Sequence, residues 1–411
     1  MYEVPGIYVE EVSTGAKPIS AVSTTTCGFV GTAPLKTAFV NEPVACNNFE
    51  EFCKKFLPED RDTIKDFTLA HAVYGFFING GSRCYICNVN DGSIAGNMGD
   101  KTGVWSFLPY DEISMVAAPG ASSIADQNAL IDFCENTKSC FAILDGPSKF
   151  KDVTELTKVA SEEAPKSAAK ATAKAAAEGE KPADKVEAAP TPTPTSAAGR
   201  PRSTSFAAQY VPHLVMSCPF TKEKVTCPPS GHMAGIYATT DTSRGVHKAP
   251  ANMPVRACTG LTQRISDPEQ AQLNSNNVNC IRSFASGGIR VWGARTLSSE
   301  DAEWRYINVR RLFLMVEGSI QRGTSWTVFE PNDEALCKSI KRDISSFLKL
   351  QWQAGALVGA SPEQAYFVKC DSENNPKESV AQGRLVVDIG IAPAKPAEFI
   401  IFRIGQWEET E

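Results

Sequence analysis

Apolar runs of about five residues, bounded by turn residues, recur through the first third of the chain and predict strands. Cys27-Gly28-Phe29-Val30-Gly31 is one, and Arg83-Cys84-Tyr85-Ile86-Cys87-Asn88-Val89 is another. Ile113-Ser114-Met115-Val116-Ala117 and Phe141-Ala142-Ile143-Leu144-Asp145 follow. Between these last two, residues 125–136 put Leu130, Ile131 and Cys134 at helical spacing, so a helix is expected there. Strand alternating with helix is the pattern of an α/β layer with crossovers. Residues 210–217 predict one further strand.

The last third follows a different period. Val309, Leu312, Phe313, Val316 and Ile320 repeat at three- and four-residue steps, which predicts an amphipathic helix. A second helix is expected after Pro331-Asn332-Asp333, with Leu336, Ile340, Ile344, Phe347 and Leu348 on one stripe and Asn332 or Asp333 as its cap. Residues 384–389 and 398–404 then read as strands, so this part is α+β. Near the amino end, Ile7-Tyr8-Val9-Glu10-Glu11-Val12 reads as a strand behind Pro5. A strand at each end of a chain either rejoins its own sheet or pairs with another molecule's edge; the pattern by itself favours self-pairing.

Composition sharpens one boundary. Residues 160–199 hold fourteen Ala and five Pro, with Val186 the one large aliphatic residue. Such a stretch buries too little apolar surface to offset its ordering entropy, so an exposed insertion is expected. The whole chain, 411 residues with 42% hydrophobic content, is long enough for two or three domains. Its formal charge of −6 gives no surplus for a polyanion, which excludes nucleic acid as the default partner. No eighteen-residue apolar stretch is present, so no membrane insertion is expected. The sequence opening lacks a basic and then apolar leader, which points to cytoplasmic assembly. Thirteen scattered cysteines in so long a chain read as reduced, largely buried thiols.

The search for catalytic chemistry returns little. No phosphate-binding glycine loop, nucleophile elbow or H-E-x-x-H occurs, and the histidines are His71, His213, His232 and His247 alone. No cofactor is expected. Cys84-x-x-Cys87 has a metal-like or redox-like spacing, but it lacks the second pair of a zinc ribbon and lies inside a strand, where i and i+3 face opposite ways. An α/β enzyme or redox protein using Cys84 and Cys87 stays open as the alternative. Cys218 and Cys227 bracket a short loop and are expected as free thiols. Gly231-His232-Met233-Ala234-Gly235 and Asp241-Thr242-Ser243-Arg244-Gly245 read as turns, with a substrate loop as the other reading.

Longer runs carry a family resemblance. Val4-Pro5-Gly6-Ile7-Tyr8-Val9-Glu10-Glu11, Phe76-Phe77-Ile78-Asn79-Gly80-Gly81-Ser82-Arg83-Cys84-Tyr85, and the stretches 228–238 and 241–252 resemble tail sheath proteins of contractile phage tails and contractile injection systems. So do Gly288-Ile289-Arg290-Val291-Trp292-Gly293-Ala294-Arg295-Thr296-Leu297 and Trp304-Arg305-Tyr306-Ile307-Asn308-Val309-Arg310-Arg311-Leu312. Phe329-Glu330-Pro331-Asn332 and Gly355-Ala356-Leu357-Val358-Gly359 follow in the family's order. Each motif is short; their succession along all but residues 160–199 is specific.

The resemblance implies a structural subunit rather than an enzyme. It implies stacking as hexameric rings around an inner tube, extended-to-contracted transition that drives the tube through a target envelope, and baseplate and tail-terminator or cap proteins as further partners. It also implies terminal arms that donate strands to neighbouring copies, reversing the preference for self-pairing. The arm residues are then Ile7, Tyr8, Val9, Glu10, Glu11 and Val12 at one end, and Phe399, Ile400, Ile401, Phe402, Arg403 and Ile404 at the other. The layout expected is an arm at 1–22, an outer α/β domain at 23–289 interrupted by the 160–199 insertion, an inner α+β domain at 290–389, and an arm at 390–411. Joins at residues 13–20 and 390–396 would let copies rotate while staying linked. Lys338, Lys341, Arg342 and Lys349 on the second helix are candidates to face the tube, or else a solvated basic face. Gly287-Gly288 is expected to permit a bend, Trp292 to fill a core between domains, and Arg295 to pair locally.

Overall fold

The first apolar run becomes β1 (Cys27–Gly31), buried along its whole length. Apolar sequence without polar alternation is what a strand covered on both faces requires. The computed structural model describes residues 18–59, 67–159, 199–299 and 301–401. After β1 come β2 (Val44–Cys46), α1 (Phe49–Phe56), α2 (Thr68–Ile78) and β3 (Cys84–Asn88). Then follow β4 (Met115–Ala117), α3 (Ile124–Thr137), β5 (Phe141–Asp145), the single turn α4 (Thr154–Thr157) and β6 (Ala207–Val211). β7 (Leu214–Ser217), β8 (Lys224–Cys227), α5 (Ser230–Arg244), β9 (Gly260–Leu261), α6 (Asp267–Ser275), β10 (Val278–Phe284) and β11 (Gly288–Trp292) come next.

Eight of these strands form one sheet in the order β11-β10-β6-β5-β4-β1-β3-β2. The inner strands run parallel, while β2 and β11 pair antiparallel at the two edges. The mixed α/β character read from the strand–helix alternation is therefore present. The strand expected over 210–217 is instead two strands in different sheets. β6 stops before Pro212, which has no N–H to give a ladder, and β7 joins β8 and β9 in a separate three-stranded sheet.

Gly231 to Gly235, expected as a turn, lies inside helix α5. Its glycines serve close packing. A Cβ on Gly231 would stand 2.2 Å from the Ala72 carbonyl oxygen, and one on Gly235 would stand 2.4 Å from that of Phe76. Helices α2 and α5 thus approach backbone to backbone. The Phe76-to-Gly81 motif ends α2: Asn79 Oδ1 accepts the Arg256 N–H at 2.9 Å, and Gly80 takes a φ of +97° that favours glycine. Gly287-Gly288 turns the β10–β11 hairpin as expected, with Gly288 at φ +67°. Trp292 does not fill a core: it sits on edge strand β11, 39% exposed, with its ring 4.6 Å from that of Phe284. Arg295 pairs locally, its Nη1 donating to the Asn274 carbonyl at 2.8 Å.

The chain divides into two compact units, the larger being Thr25–Thr239 with Pro250–Ile307. The smaller holds residues 18–24, Thr240–Ala249 and residues 308–401. The change of unit near Arg290 is thus displaced to Ile307 and Asn308, because Arg290 is in register with Arg282 across the β10–β11 pair.

The smaller unit contains α7 (Ile307–Gly323) from Asn308 onward, α8 (Glu334–Gln353), α9 (Pro362–Ala365), β12 (Tyr366–Lys369), α10 (Lys377–Ala381) and β13 (Asp388–Ile391). The apolar stripes of α7 and α8 supply its core, with Leu312, Val316, Ile340, Ile344, Phe347 and Leu348 buried together beside Ile19 and Val246. Asp333 is the N-cap of α8, accepting the Leu336 N–H at 2.8 Å. The strand expected from residue 384 begins only at Asp388, because Asn375 clasps Val386 through both of its backbone groups. Cys337 on α8 and Cys370 after β12 form a disulfide, which corrects the expectation that all thirteen cysteines are free. Cys218 and Cys227 are free and buried.

Candidate functional site

Cys84 and Cys87 are wholly buried in β3. Burial pushes the Cys84 thiol well up and the Cys87 thiol to about 11, the opposite of what a reactive or metal-binding thiolate needs. Among the described residues, no group of His, Cys, Asp and Glu is placed to hold a metal ion.

The smaller unit holds a buried ion pair and a run of exposed apolar side chains. Arg311 on α7 forms a bidentate pair with Asp241, at 2.9 and 2.6 Å, and both side chains are only 3% exposed. Thr24 completes the cluster: its hydroxyl donates to Asp241 Oδ2 at 2.7 Å and its carbonyl accepts from Arg311 at 2.8 Å. The Ser319 hydroxyl accepts the Val22 N–H at 3.0 Å, and a Cβ on Gly323 would meet Ile19 at 2.7 Å. Helix α7 therefore holds residues 19–24 through the Arg311 guanidinium, one hydroxyl and one missing side chain. Asn308 fixes another piece of chain, donating to the His247 carbonyl at 2.7 Å and the Ala394 carbonyl at 3.0 Å.

β12 and β13 form a two-stranded sheet, and no other strand pairs with either among the described residues. In its register Phe367 faces Gly390, whose bare backbone lets the ring lie across it. Residues 392–394 are held by Ala392 N–H to Ala365 O, Val358 N–H to Ala392 O and Ala394 N–H to Ala356 O. The chain is therefore anchored through Ala394, and the expected join at 390–396 begins only after it. Beyond it, Phe399, Ile400 and Ile401 lie outside any strand and are 73%, 72% and 80% exposed. Phe402, Arg403 and Ile404 fall outside the described residues, as do Ile7, Tyr8, Val9, Glu10, Glu11 and Val12 and the 160–198 stretch.

All four basic candidates on α8 are exposed. Helical rotation puts Lys338, Lys341, Arg342 and Lys349 within one arc of about 100°. Lys338 is paired with Glu334 at 2.7 Å and Arg342 with Asp343 at 3.0 Å. Lys341 and Lys349 have no acidic partner among the described residues. The neighbouring α7–α8 connection displays Phe329, completely exposed at φ +69°. The sequence reading missed the Arg311–Asp241 pair, because nothing local links two residues seventy positions apart.

Buried polar groups thus tie down chain segments in a unit that also carries a two-stranded sheet and an exposed apolar segment. Comparison with known proteins gives the particular family. The model of the phage tail sheath protein central domain matches residues 96–297, and that of the phage tail sheath C-terminal domain matches residues 299–406. The chain belongs to the tail sheath protein family. It is 27% identical over 193 residues to the major tail sheath protein of Serratia phage KSP20, covering 46% of this chain and 47% of that one. With the tail sheath protein of Vibrio phage KVP40 it shares 28% identity over 176 residues, 42% of this chain and 25% of the relative. The matched region thus spans half or less of these relatives' length. Likeness to two solved sheaths runs the whole way. The contracted helical sheath of the anti-feeding prophage superimposes with a TM-score of 0.74 at 28% identity, covering 99% of this chain and 100% of that one. The contracted sheath of an extracellular contractile injection system (PVC) gives 0.73 at 28% identity over 99% and 98%.

Proposed function

We propose that this chain is the sheath subunit of a contractile injection system, assembled in the cytoplasm as stacked hexameric rings around an inner tube. Its passage from an extended to a contracted packing drives the tube through a target envelope. Its partners are further copies of itself, the tube protein, a baseplate and a terminator or cap. The observation that carries this reading is the exposed Phe399-Ile400-Ile401 segment in the same unit as the open-edged β12–β13 pair. An isolated two-stranded sheet is marginal in water, and a strand added from a neighbour supplies main-chain hydrogen bonds without demanding much side-chain fit. Head-to-tail contacts that do not close on themselves let one chain generate a helix. The segment carrying Ile7 to Val12 acts as the second donor in this reading.

The test is assembly. Full-length protein coexpressed with its tube protein is expected to form cylinders by negative-stain microscopy. Removing residues 1–12 or 399–411 is expected to leave a folded subunit, with unchanged circular dichroism, that forms none. Normal cylinders from both truncated chains would sink the strand-donation mechanism.

A further inference from the structure

The thirteen cysteines divide unevenly: eleven are free, and Cys337 and Cys370 are joined. Nine of the free thiols are buried, none of them more than 1% exposed. Among these, Cys134 and Cys140 bring their sulfurs within 3.5 Å and still remain two thiols. The joined pair differs in access. Cys337 and Cys370 are 8% and 7% exposed, and both line a cavity of about 630 Å³ in the smaller unit, beside Lys341, Asn375, Val380 and Leu385. That volume is in the range of small-molecule sites, so a thiol the size of a tripeptide has room beside the pair while the chain stays folded.

Cys337 lies in the first turn of α8, and Cys370 directly follows β12. Their bond closes a loop across a separation of 33 residues. The Cα atoms are 5.7 Å apart, a spacing at which the bond forms without backbone movement. The connection after Cys370 is held by other means. Asn374 donates to the Lys369 carbonyl at 2.9 Å, and Asn375 to the Val386 carbonyl at 2.8 Å. Opening the disulfide therefore frees β12 from α8 and leaves the surrounding fold standing. Closing it narrows the unfolded ensemble, so the joined form resists unfolding more. A reachable disulfide in a chain whose other thiols stay reduced has the character of a redox-responsive pair.

We propose that Cys337 and Cys370 form a reversible redox clip, open as two thiols in a reducing compartment and closed by a disulfide oxidant, which sets how firmly β12 is held to α8. To open it, a small thiolate attacks one sulfur, forming a mixed disulfide and releasing the other cysteine as a thiolate that takes up a proton. A second small thiol attacks the mixed disulfide. Both cysteines then end as thiols, and the small thiol leaves oxidised as its own disulfide. Closing by glutathione disulfide runs the same steps backwards. The test needs only the isolated full-length chain, so its outcome is independent of whether cylinders form. The protein is held in glutathione disulfide or in excess reduced glutathione, desalted, alkylated with N-ethylmaleimide without denaturant, and mapped by peptide mass spectrometry. Reduction is expected to add labels at Cys337 and Cys370, with circular dichroism unchanged, and return to glutathione disulfide to remove them. Labelling of Cys53 and Cys258, the two half-buried free thiols, is expected to be the same in both states. The reduced form is expected to unfold about 5 °C or more below the oxidised one, and Cys337→Ala/Cys370→Ala to abolish that difference. Three results would overturn the proposal: no labelling of the pair in reduced glutathione, labels appearing equally at Cys134 and Cys140, or equal midpoints for the two forms of the parent. Should the double variant fail to fold, the two forms of the parent decide alone.

Discussion

Arg311 carries a full positive charge where water hardly reaches, and its partner Asp241 is equally enclosed. Two such charges are costly to bury, so the pair adds little net stability while it is intact; removing one partner strands the other. Arg311→Met is therefore expected to destabilise the smaller unit by about 3–5 kcal/mol, read as a fall in the urea midpoint. A loss below about 1 kcal/mol would mean that solvent screens the pair as it does on a surface. Buried His232 gives a pH signature. Enclosure first, and neighbouring His71 second, hold its imidazole down at about 4 against an ordinary 6.5. The native ring stays neutral while the unfolded one takes a proton, so stability falls as pH drops from 6.5 and levels off near 4. The slope is about 1.4 kcal/mol per pH unit within that window. His232→Leu is expected to flatten it in urea titrations repeated across that range, and an unchanged slope would assign the effect elsewhere. Neither environment was legible in the sequence, where Asp241 and His232 stand among turn-forming residues.

Between helices, the lesson concerns what glycine is for. Periodicity located α7 and α8 correctly, because each presents one apolar stripe to a core, and Asp333 marked the start of α8. Helix α5 was hidden for the opposite reason: Gly231 and Gly235 read as breakers, yet they are the surface that lets α2 come within backbone contact. Sequence pattern registers what a face buries, and it does not register how closely a partner approaches. This reverses the usual effect of a helical glycine. An exposed Gly→Ala change in a helix stabilises by about 1 kcal/mol. Gly235→Ala would press a methyl group against the Phe76 carbonyl and the Asn79 side chain, and overpacking of that kind costs about 1–3 kcal/mol. Thermal unfolding is expected to show a lowered midpoint, and a raised one would mean that α2 shifts aside freely. The strands show the same division: β1, β3 and β5 were legible as apolar runs, whereas β2 and β9 are too short for any period, and the sheet order follows from crossovers that no local pattern encodes.

For the whole molecule, a subunit that works in a helical array must present complementary surfaces without repelling its own copies. A formal charge of −6 over 411 residues is modest enough for that, so any strongly basic face is a local feature with a local task. On α8 the charge count shrinks, since Lys338 and Arg342 already have carboxylate partners and Lys341 and Lys349 have none among the described residues. If this face meets the tube, one of the two readings of these candidates, and the tube surface is acidic, these two lysines carry the attraction. The double change Lys341→Glu/Lys349→Glu should then leave the monomer's unfolding free energy within about 0.5 kcal/mol of the parent, because both residues are exposed. It should also slow tube-templated cylinder growth, followed by light scattering. The parent's growth should slow with added salt as screening shortens the reach of exposed charges to about 8 Å near physiological ionic strength. The variant should lose that salt dependence, since attraction between surface patches acts mainly on the rate of encounter. Growth that is equally fast and equally salt-dependent in both proteins would return α8 to a solvated basic face, and would leave the exposed Phe329 connection as the surface of the smaller unit still to be matched with a partner.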